Sequence, residues 1–282
     1  MKNQNNILVI GATGKTDRKV AESLHQKGYN VRSGSRNSSP SFDWNDPQGW
    51  PATLEGIDKM YIVYYPDLAV PGAFESISTL VEMAKEAGIQ KAVLLSGKGE
   101  TEAERCETVV AQSGLDYTLV RASWFNQNFS ESFLLDPVLA GHVALPLPEA
   151  QVPFVDTGDI ADVVVEALMN DAWNGQTVEV TGLRLLSFEE VVGEIAKASG
   201  RNIQFQSVSM QAYHQMMKSA GLPEDYIWLF DYLFREVLGD PQKQVVSYDT
   251  EKVLGRKAKD FSEYAQETAQ SGIWNQKFPQ TI

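Results

Sequence analysis

The chain has 282 residues, 43% hydrophobic and 22% charged, enough for one large core or two unequal ones. A net charge of -13 argues against nucleic acid or an anionic membrane as the main partner and suits solubility. Cys106 is the one cysteine, which excludes an intrachain disulfide, and His25, His142 and His214 are too scattered to form a metal pattern.

The stretch that organises the chain is Asn6-Ile7-Leu8-Val9-Ile10-Gly11-Ala12-Thr13-Gly14-Lys15-Thr16-Asp17. An apolar strand runs into two glycines and then into a helical pattern. Such a turn aims backbone N–H groups and the positive end of a helix at an anion, usually a pyrophosphate. Gly11 permits the sharp exit from the strand, and Gly14 lets the backbone approach the ligand. Asp17 stands where a third glycine is usual, so its carboxylate must turn away from the anion, capping a backbone N–H. Val20, Ala21 and Leu24 mark the helix, and Gly28 ends it. Residues 30–35 form the second strand, which ends in Ser35-Arg36. An acid at this place binds a free ribose 2′-hydroxyl, whereas an arginine accepts a 2′-phosphate. No acid is present, and the guanidinium fork of Arg36 suits a phosphate, so the stretch predicts NADP(H).

Residues 41–44 read as a short strand, and Pro47-Gln48-Gly49-Trp50 opens a helix ending near Gly56. Residues 60–64 read as a buried parallel strand closed by Pro66, and residues 73–87 as a helix stopped by Gly88. A strand at 91–95 runs to Ser96-Gly97-Lys98-Gly99, followed by a helix at 100–113 and a strand at 116–120. This alternation demands an α/β fold with a doubly wound parallel sheet and helices on both faces. Residues 121–129 are rich in amides and aromatics, and residues 136–153, with Pro137, Pro146, Pro148 and Pro153, read as loop. A helix resumes at 155–163 with Thr157 or Asp159 as its N-cap, and residues 177–180 give one more strand. From Ser187 the chain reads as mainly helical, at 187–199 with a Ser187-Phe188-Glu189-Glu190 capping box, at 210–220 and at 226–238. Residues 277–282 are expected to fray. No apolar run reaches the roughly 18 residues that a membrane span needs, and no apolar leader opens the chain, so a soluble, cytoplasmic protein is expected.

Five motifs, taken together, resemble a known family. They are Gly11-Ala12-Thr13-Gly14, Gly34-Ser35-Arg36, Phe42-Asp43-Trp44-Asn45-Asp46-Pro47, Arg121-Ala122-Ser123-Trp124-Phe125-Asn126-Gln127-Asn128-Phe129 and Phe154-Val155-Asp156-Thr157-Gly158-Asp159-Ile160-Ala161-Asp162. The set resembles the NmrA-like branch of the atypical short-chain dehydrogenases, over residues 6 to about 200. Within it, Gly-Ser-Arg and Phe-Asp-Trp resemble the festuclavine/agroclavine dehydrogenase group. The resemblance implies a Rossmann domain at 1–136 and 155–182 that binds NADP(H), and a smaller, mainly helical, substrate-capping domain at 137–154 and 183–282. By position, Gly11, Thr13, Gly14, Lys15 and Thr16 would hold the pyrophosphate, and Arg36 the 2′-phosphate. Asp43 and Trp44 would flank the adenine, with Tyr64, Tyr65 and Pro66 beside the nicotinamide ribose. Ser96, Gly97 and Lys98 would complete the cofactor site, and Trp124 and Phe125 would border the substrate.

One departure matters. Short-chain dehydrogenases usually carry a Tyr-x-x-x-Lys pair, in which the phenol donates a proton. The helix at 100–113 contains neither residue, and Thr108 stands where some relatives place a lysine. Hydride transfer to an already activated acceptor, such as a quinone or an iminium ion, needs little acid catalysis. The expected function is therefore NADPH-dependent reduction of a small electrophilic molecule, with no metal. The alternatives are an NADP(H)-sensing regulator that lacks catalysis and, less favoured, an epimerase of the extended class. Phe129, Phe133 and the run Tyr226, Trp228, Phe230, Tyr232 and Phe234 read first as core. Asp156, Asp159 and Asp162 read as caps around a turn.

Overall fold

The computed structural model describes residues 5–11 and 14–276. Thr13 and the fraying expected at 277–282 lie outside the described residues. In chain order the elements are β1 (Asn6–Ile10), α1 (Asp17–Gln26), β2 (Asn30–Gly34), α2 (Trp50–Leu54), β3 (Lys59–Ile62), α3 (Ala73–Glu86), β4 (Lys91–Gly97), α4 (Ala103–Ala111), β5 (Asp116–Ala122), α5 (Leu135–Ala140) and β6 (His142–Leu145). They continue with α6 (Thr157–Met169), β7 (Gln176–Val180), α7 (Phe188–Ser199), β8 (Gln204–Ser207), α8 (Met210–Ser219), α9 (Glu224–Tyr232), α10 (Asp249–Leu254) and α11 (Phe261–Gln270). A π-helical turn, Leu233–Leu238, extends α9. The chain divides into two compact units. The first holds the residues up to Ala122, Gly158–Val180 and Asp249–Arg256; the second holds Ser123–Thr157, Thr181–Tyr248 and the residues from Lys257 onward.

The first unit is built on a six-stranded parallel sheet of order β2-β1-β3-β4-β5-β7. Ile7 to Ile10, Met60 to Ile62 and Ala92 to Leu94 have no exposed surface. Such uninterrupted apolar runs form strands covered on both faces, and parallel strands need the helical crossovers that cover them. The strand order, with its reversal between β1 and β3, is that of a Rossmann-like sheet. The strand expected at 41–44 is absent. Ser38 Oγ bonds the carbonyls of Ser35 and Pro40, and the Phe42 N–H returns to Ser35 O at 2.8 Å. This closes the segment on itself instead of on a sheet edge. Its aromatic residues pack as a cluster, with Phe42 to Trp44 at 5.0 Å and Phe42 stacked on Trp50 at 5.4 Å.

The second unit has a small parallel pair, β6 with β8, and a core in which Phe129, Phe154, Phe188, Phe234 and Trp274 are buried. The capping box of α7 forms as the sequence predicts, with Ser187 Oγ accepting the Glu190 N–H and Glu190 accepting the Ser187 N–H. The reading of 136–153 as loop is corrected, because α5 and β6 both fall there. Pro137 sits in the first turn of α5, where a missing N–H costs nothing. The aromatic run splits by face. Phe230 and Phe234 enter this core, while Trp228 is 42% exposed and stacks on Tyr232. The unit boundaries differ from those expected. Ser123 to Asp136 falls with the second unit, and α10 returns to the first, held where Asp249 Oδ2 accepts the Glu179 N–H at 3.0 Å.

Candidate functional site

In an open parallel sheet, ligands bind beyond the carboxyl ends of the strands, where the strand order reverses. In the first unit that end is formed by the segments leaving β1, β2, β3 and β4. Gly11 leaves β1 at φ +87°, a conformation reserved for glycine, and its N–H bonds Gly34 O at 2.7 Å. Gly14 is exposed, and it carries no side chain to keep a ligand at a distance. Its N–H is engaged, donating to Gly11 O at 3.0 Å and to Asp17 Oδ2 at 2.7 Å. Asp17 therefore caps the turn, as its position in the motif predicts.

That carboxyl group is 2% exposed and lies behind the turn, where a Cβ on Gly14 would stand 2.5 Å from Asp17 Oδ1. Burial pushes its pKa above the ordinary carboxylate value, against the pull of the Gly14 N–H. Thr16 is buried too, and its hydroxyl accepts a hydrogen bond from the Tyr61 phenol at 3.1 Å. Its side chain faces the core, which leaves only its backbone for an anion. Lys15 remains partly exposed.

After β2, Ser35 and Arg36 begin the closed segment. Arg36 is exposed, and among the described residues no hydrogen bond or ion pair engages its guanidinium. Arg32, two strand positions before Gly34, is by contrast bonded to the carbonyls of Thr53 and Glu55 at 2.8 and 2.7 Å. Trp44 is fixed by its indole N–H to Val63 O at 3.2 Å and packs on Tyr64 at 4.7 Å. Asp43 turns its carboxylate onto the Asn45 N–H at 2.9 Å. Tyr64 and Tyr65 diverge, as adjacent extended residues must: Tyr64 joins Trp44, and Tyr65 is 73% exposed, with Pro66 next in the chain.

At the end of β4, Ser96 is 3% exposed, and its hydroxyl has no hydrogen-bond partner among the described residues. Lys98 is engaged within the chain: its ammonium lies 3.0 Å from Glu179 Oε2 of β7, and its side chain is 9% exposed. The structure thus brings Gly11, Gly14, Lys15, Arg36, Trp44, Tyr64, Tyr65, Ser96 and Gly97 to the same end of one sheet. It directs the side chains of Thr16 and Lys98 to structural partners. Sequence reasoning missed Tyr61 and Glu179, whose partners Thr16 and Lys98 lie on other elements, with no spacing rule to connect them.

Trp124 and Phe125 belong to the second unit. Trp124 packs against Phe188 at 5.8 Å and Phe234 at 5.7 Å, and its indole N–H is buried with no acceptor among the described residues. Asn126 is fully buried, and both ends of its amide lack partners among the described residues. Such groups call for ordered water or a ligand. The aspartates beside them are structural. Gln127 Nε2 donates to Asp156 Oδ2 at 2.9 Å, and, within the first unit, Arg256 binds Asp159 at 2.6 Å and Asp162 at 2.5 Å. Among the described residues no cluster could hold a metal ion.

The chain is similar to several curated proteins along most of its length. It is 29% identical to the prestalk A differentiation protein A of Dictyostelium discoideum, covering 93% of this chain and 92% of that one. It is 28% identical to the NAD(P)H azoreductase of Xenophilus azovorans, covering 92% and 96%, and 25% identical to the agroclavine dehydrogenase of Claviceps fusiformis, covering 78% and 82%. Among solved structures, a nucleoside-diphosphate-sugar epimerase from Staphylococcus aureus (17% identity, 93% and 99% covered) and an NADPH-dependent quinone oxidoreductase from Escherichia coli bound to NADPH (21%, 93% and 99%) both match with a TM-score of 0.76. A negative transcriptional regulator, Nmra, bound to NAD, matches at 0.70 with 18% identity, covering 98% and 100%. Proteins described as isomerase, reductase and regulator share this fold, so the fold alone does not select among them. The NmrA-like family profile matches residues 3–265, and the chain belongs to the NmrA-like family.

Proposed function

We propose that this chain is an NADPH-dependent oxidoreductase that reduces a small, flat, electrophilic acceptor such as a quinone or a cyclic iminium ion. Arg36 carries the reading. It is exposed and unengaged at the end of β2, where Gly34-Ser35 leaves no carboxylate to favour a free 2′-hydroxyl. The glycine turn fits a pyrophosphate, since Gly14 is exposed and its Asp17 cap lies behind it. Relatives named as an azoreductase and a clavine dehydrogenase support a redox role.

When bound, the dihydronicotinamide supplies the hydride. The protein supplies position. Gly11, Gly14, Lys15 and the backbone of Thr16 would hold the pyrophosphate, and Arg36 the 2′-phosphate. Trp44 with Asp43 would flank the adenine, and Tyr64, Tyr65 and Ser96 the nicotinamide ribose. In the second unit, Trp124 and Phe125 are the proposed contacts for a flat substrate. A second reading, an NADP(H)-sensing regulator, is favoured by α4, which has neither tyrosine nor lysine, and by the ion pair that occupies Lys98.

The test is multiple-turnover oxidation of NADPH and NADH over a panel of quinones and cyclic iminium compounds, with wild type and Arg36→Ala. Turnover that prefers NADPH, and a variant that loses about 10-fold or more for NADPH alone, support the enzyme. Tight NADP(H) binding without turnover supports the sensor. Equal losses for both cofactors would remove Arg36 from the 2′-phosphate.

A further inference from the structure

In the second unit, α8 and the π-helical turn after α9 enclose a groove of about 560 Å³. Ser209, Gln211, Ala212, His214 and Gln215 line it on one side and Arg235 on the other. The core beneath sets its walls. Tyr213, next to His214, and Phe234, next to Arg235, are buried with ring centroids 5.3 Å apart. His214 Nδ1 lies 2.8 Å from Asp231 Oδ2, and a carboxylate only accepts, so Nδ1 carries the hydrogen of this bond. That leaves Nε2 without a partner among the described residues. Asp231 Oδ1 is buried, so the carboxylate sits behind the imidazole and does not line the groove.

Arg235 is exposed, and among the described residues no hydrogen bond or ion pair engages its guanidinium. In a continuous α-helix it would stand one turn beyond Asp231, at the spacing where arginine and aspartate pair. Leu233–Leu238 is π-helical instead, a rare geometry that recurs at functional sites, and Asp231 pairs with His214 rather than with Arg235. No acid lines the groove, although the chain carries 37 Asp and Glu against 24 Lys and Arg. Ser209 Oγ accepts the Ala212 N–H at 3.1 Å, which leaves its own hydrogen to donate.

We propose that this groove binds a phosphate monoester of a small polar molecule, with Arg235 and His214 on the phosphate. The guanidinium fork takes two phosphate oxygens at once. Nε2 suits a phosphate in either state of the ring. The cationic ring donates to an ionised oxygen. The neutral ring accepts from a protonated one, which a phosphate monoester keeps in part near neutral pH, since its second pKa is about 6. A carboxylate has no such proton at that pH. The volume leaves room for the body of the ester beside its phosphate. Every lining residue belongs to the second unit, so the groove is separate from the pyrophosphate turn proposed in the first.

The test is proton–nitrogen NMR of the imidazole rings. The chain has three histidines, and the signal lost in His214→Gln assigns the ring. The probe is glycerol 3-phosphate, with acetate as the comparison, in a phosphate-free buffer. NADP⁺ is left out because it carries a phosphate monoester itself. Glycerol 3-phosphate should move the His214 signal to saturation. Arg235→Ala, with circular dichroism to show that it is folded, should weaken that binding by about 10-fold or more. A His214 signal that does not move, or moves without saturating, overturns the site, as does equal affinity in Arg235→Ala. Acetate bound as tightly as glycerol 3-phosphate overturns the assignment to a phosphate ester.

Discussion

Asp17 shows how one residue can hold a motif together and weaken it. It replaces the third glycine, caps the Gly14 N–H and fills the hollow behind the turn. The cap is legible in sequence, because a carboxylate beside a pyrophosphate site has to turn away. Its burial is not, since that depends on the core around Tyr61 and Thr16. A carboxyl group whose folded-state pKa is raised lowers stability above that pKa and has no such effect below its unfolded value. Asp17→Asn should therefore raise the melting temperature relative to wild type, by a margin that grows as pH climbs from the ordinary carboxylate value, 3.8, through the raised one. It should also tighten NADPH binding, because it removes a negative charge from behind the phosphates. Thermal melts against pH and a cofactor titration measure both. A variant less stable than wild type at neutral pH would show that the charge itself holds the turn.

The first unit's elements were largely legible because a parallel sheet buried on both faces writes its strands as apolar runs, as in Ile7-Leu8-Val9-Ile10 and Ala92-Val93-Leu94. The elements that escaped have no such signature. β8 is Gln-Phe-Gln-Ser, polar at most positions, and it exists because His142 to Leu145 lies beside it. Residues 41–44 look like a strand, but they are claimed by the aromatic cluster and by the Ser38 turn. The ion pairs that join elements were equally invisible. Arg121 of β5 grips Glu107 of α4 with both nitrogens facing the carboxylate, Nε to Oε1 at 2.9 Å and to Oε2 at 3.1 Å and Nη2 to Oε2 at 2.6 Å, and Glu107 is 3% exposed. Glu104, half exposed and 3.5 Å from the same guanidinium, is a weaker partner. Glu107→Ala should cost about 2 kcal/mol, below the usual penalty for breaking a buried pair because Arg121 keeps some solvent and can turn to Glu104. Glu104→Ala should cost less than about 0.5 kcal/mol. Denaturant unfolding of the two variants settles the order, and equal losses would show that burial does not set the strength of this contact.

At the scale of the whole molecule, neither unit is a continuous piece of chain. The first takes its last strand, β7, after a stretch of the second, and takes α10 after most of it. Among the described residues no helix is long and apolar enough to cross a membrane. The second unit's core depends on residues far along the chain, since Phe261, Tyr264 and Trp274 are all buried in it. A chain stopped at Tyr248 should therefore leave 123–157 and 181–248 open to limited proteolysis, although all six strands of the large sheet are present. A protease-resistant second unit in that shortened chain would contradict this. Trp274 carries the consequence furthest. Its indole N–H bonds Phe129 O at 2.8 Å, across 145 positions of sequence. During synthesis, Phe129 and the apolar face of α7 leave the ribosome long before the tryptophan that helps to bury them. For that interval they stand uncovered in the nascent chain, and it is then, more than at any point in the finished protein's life, that exposed apolar surface invites aggregation.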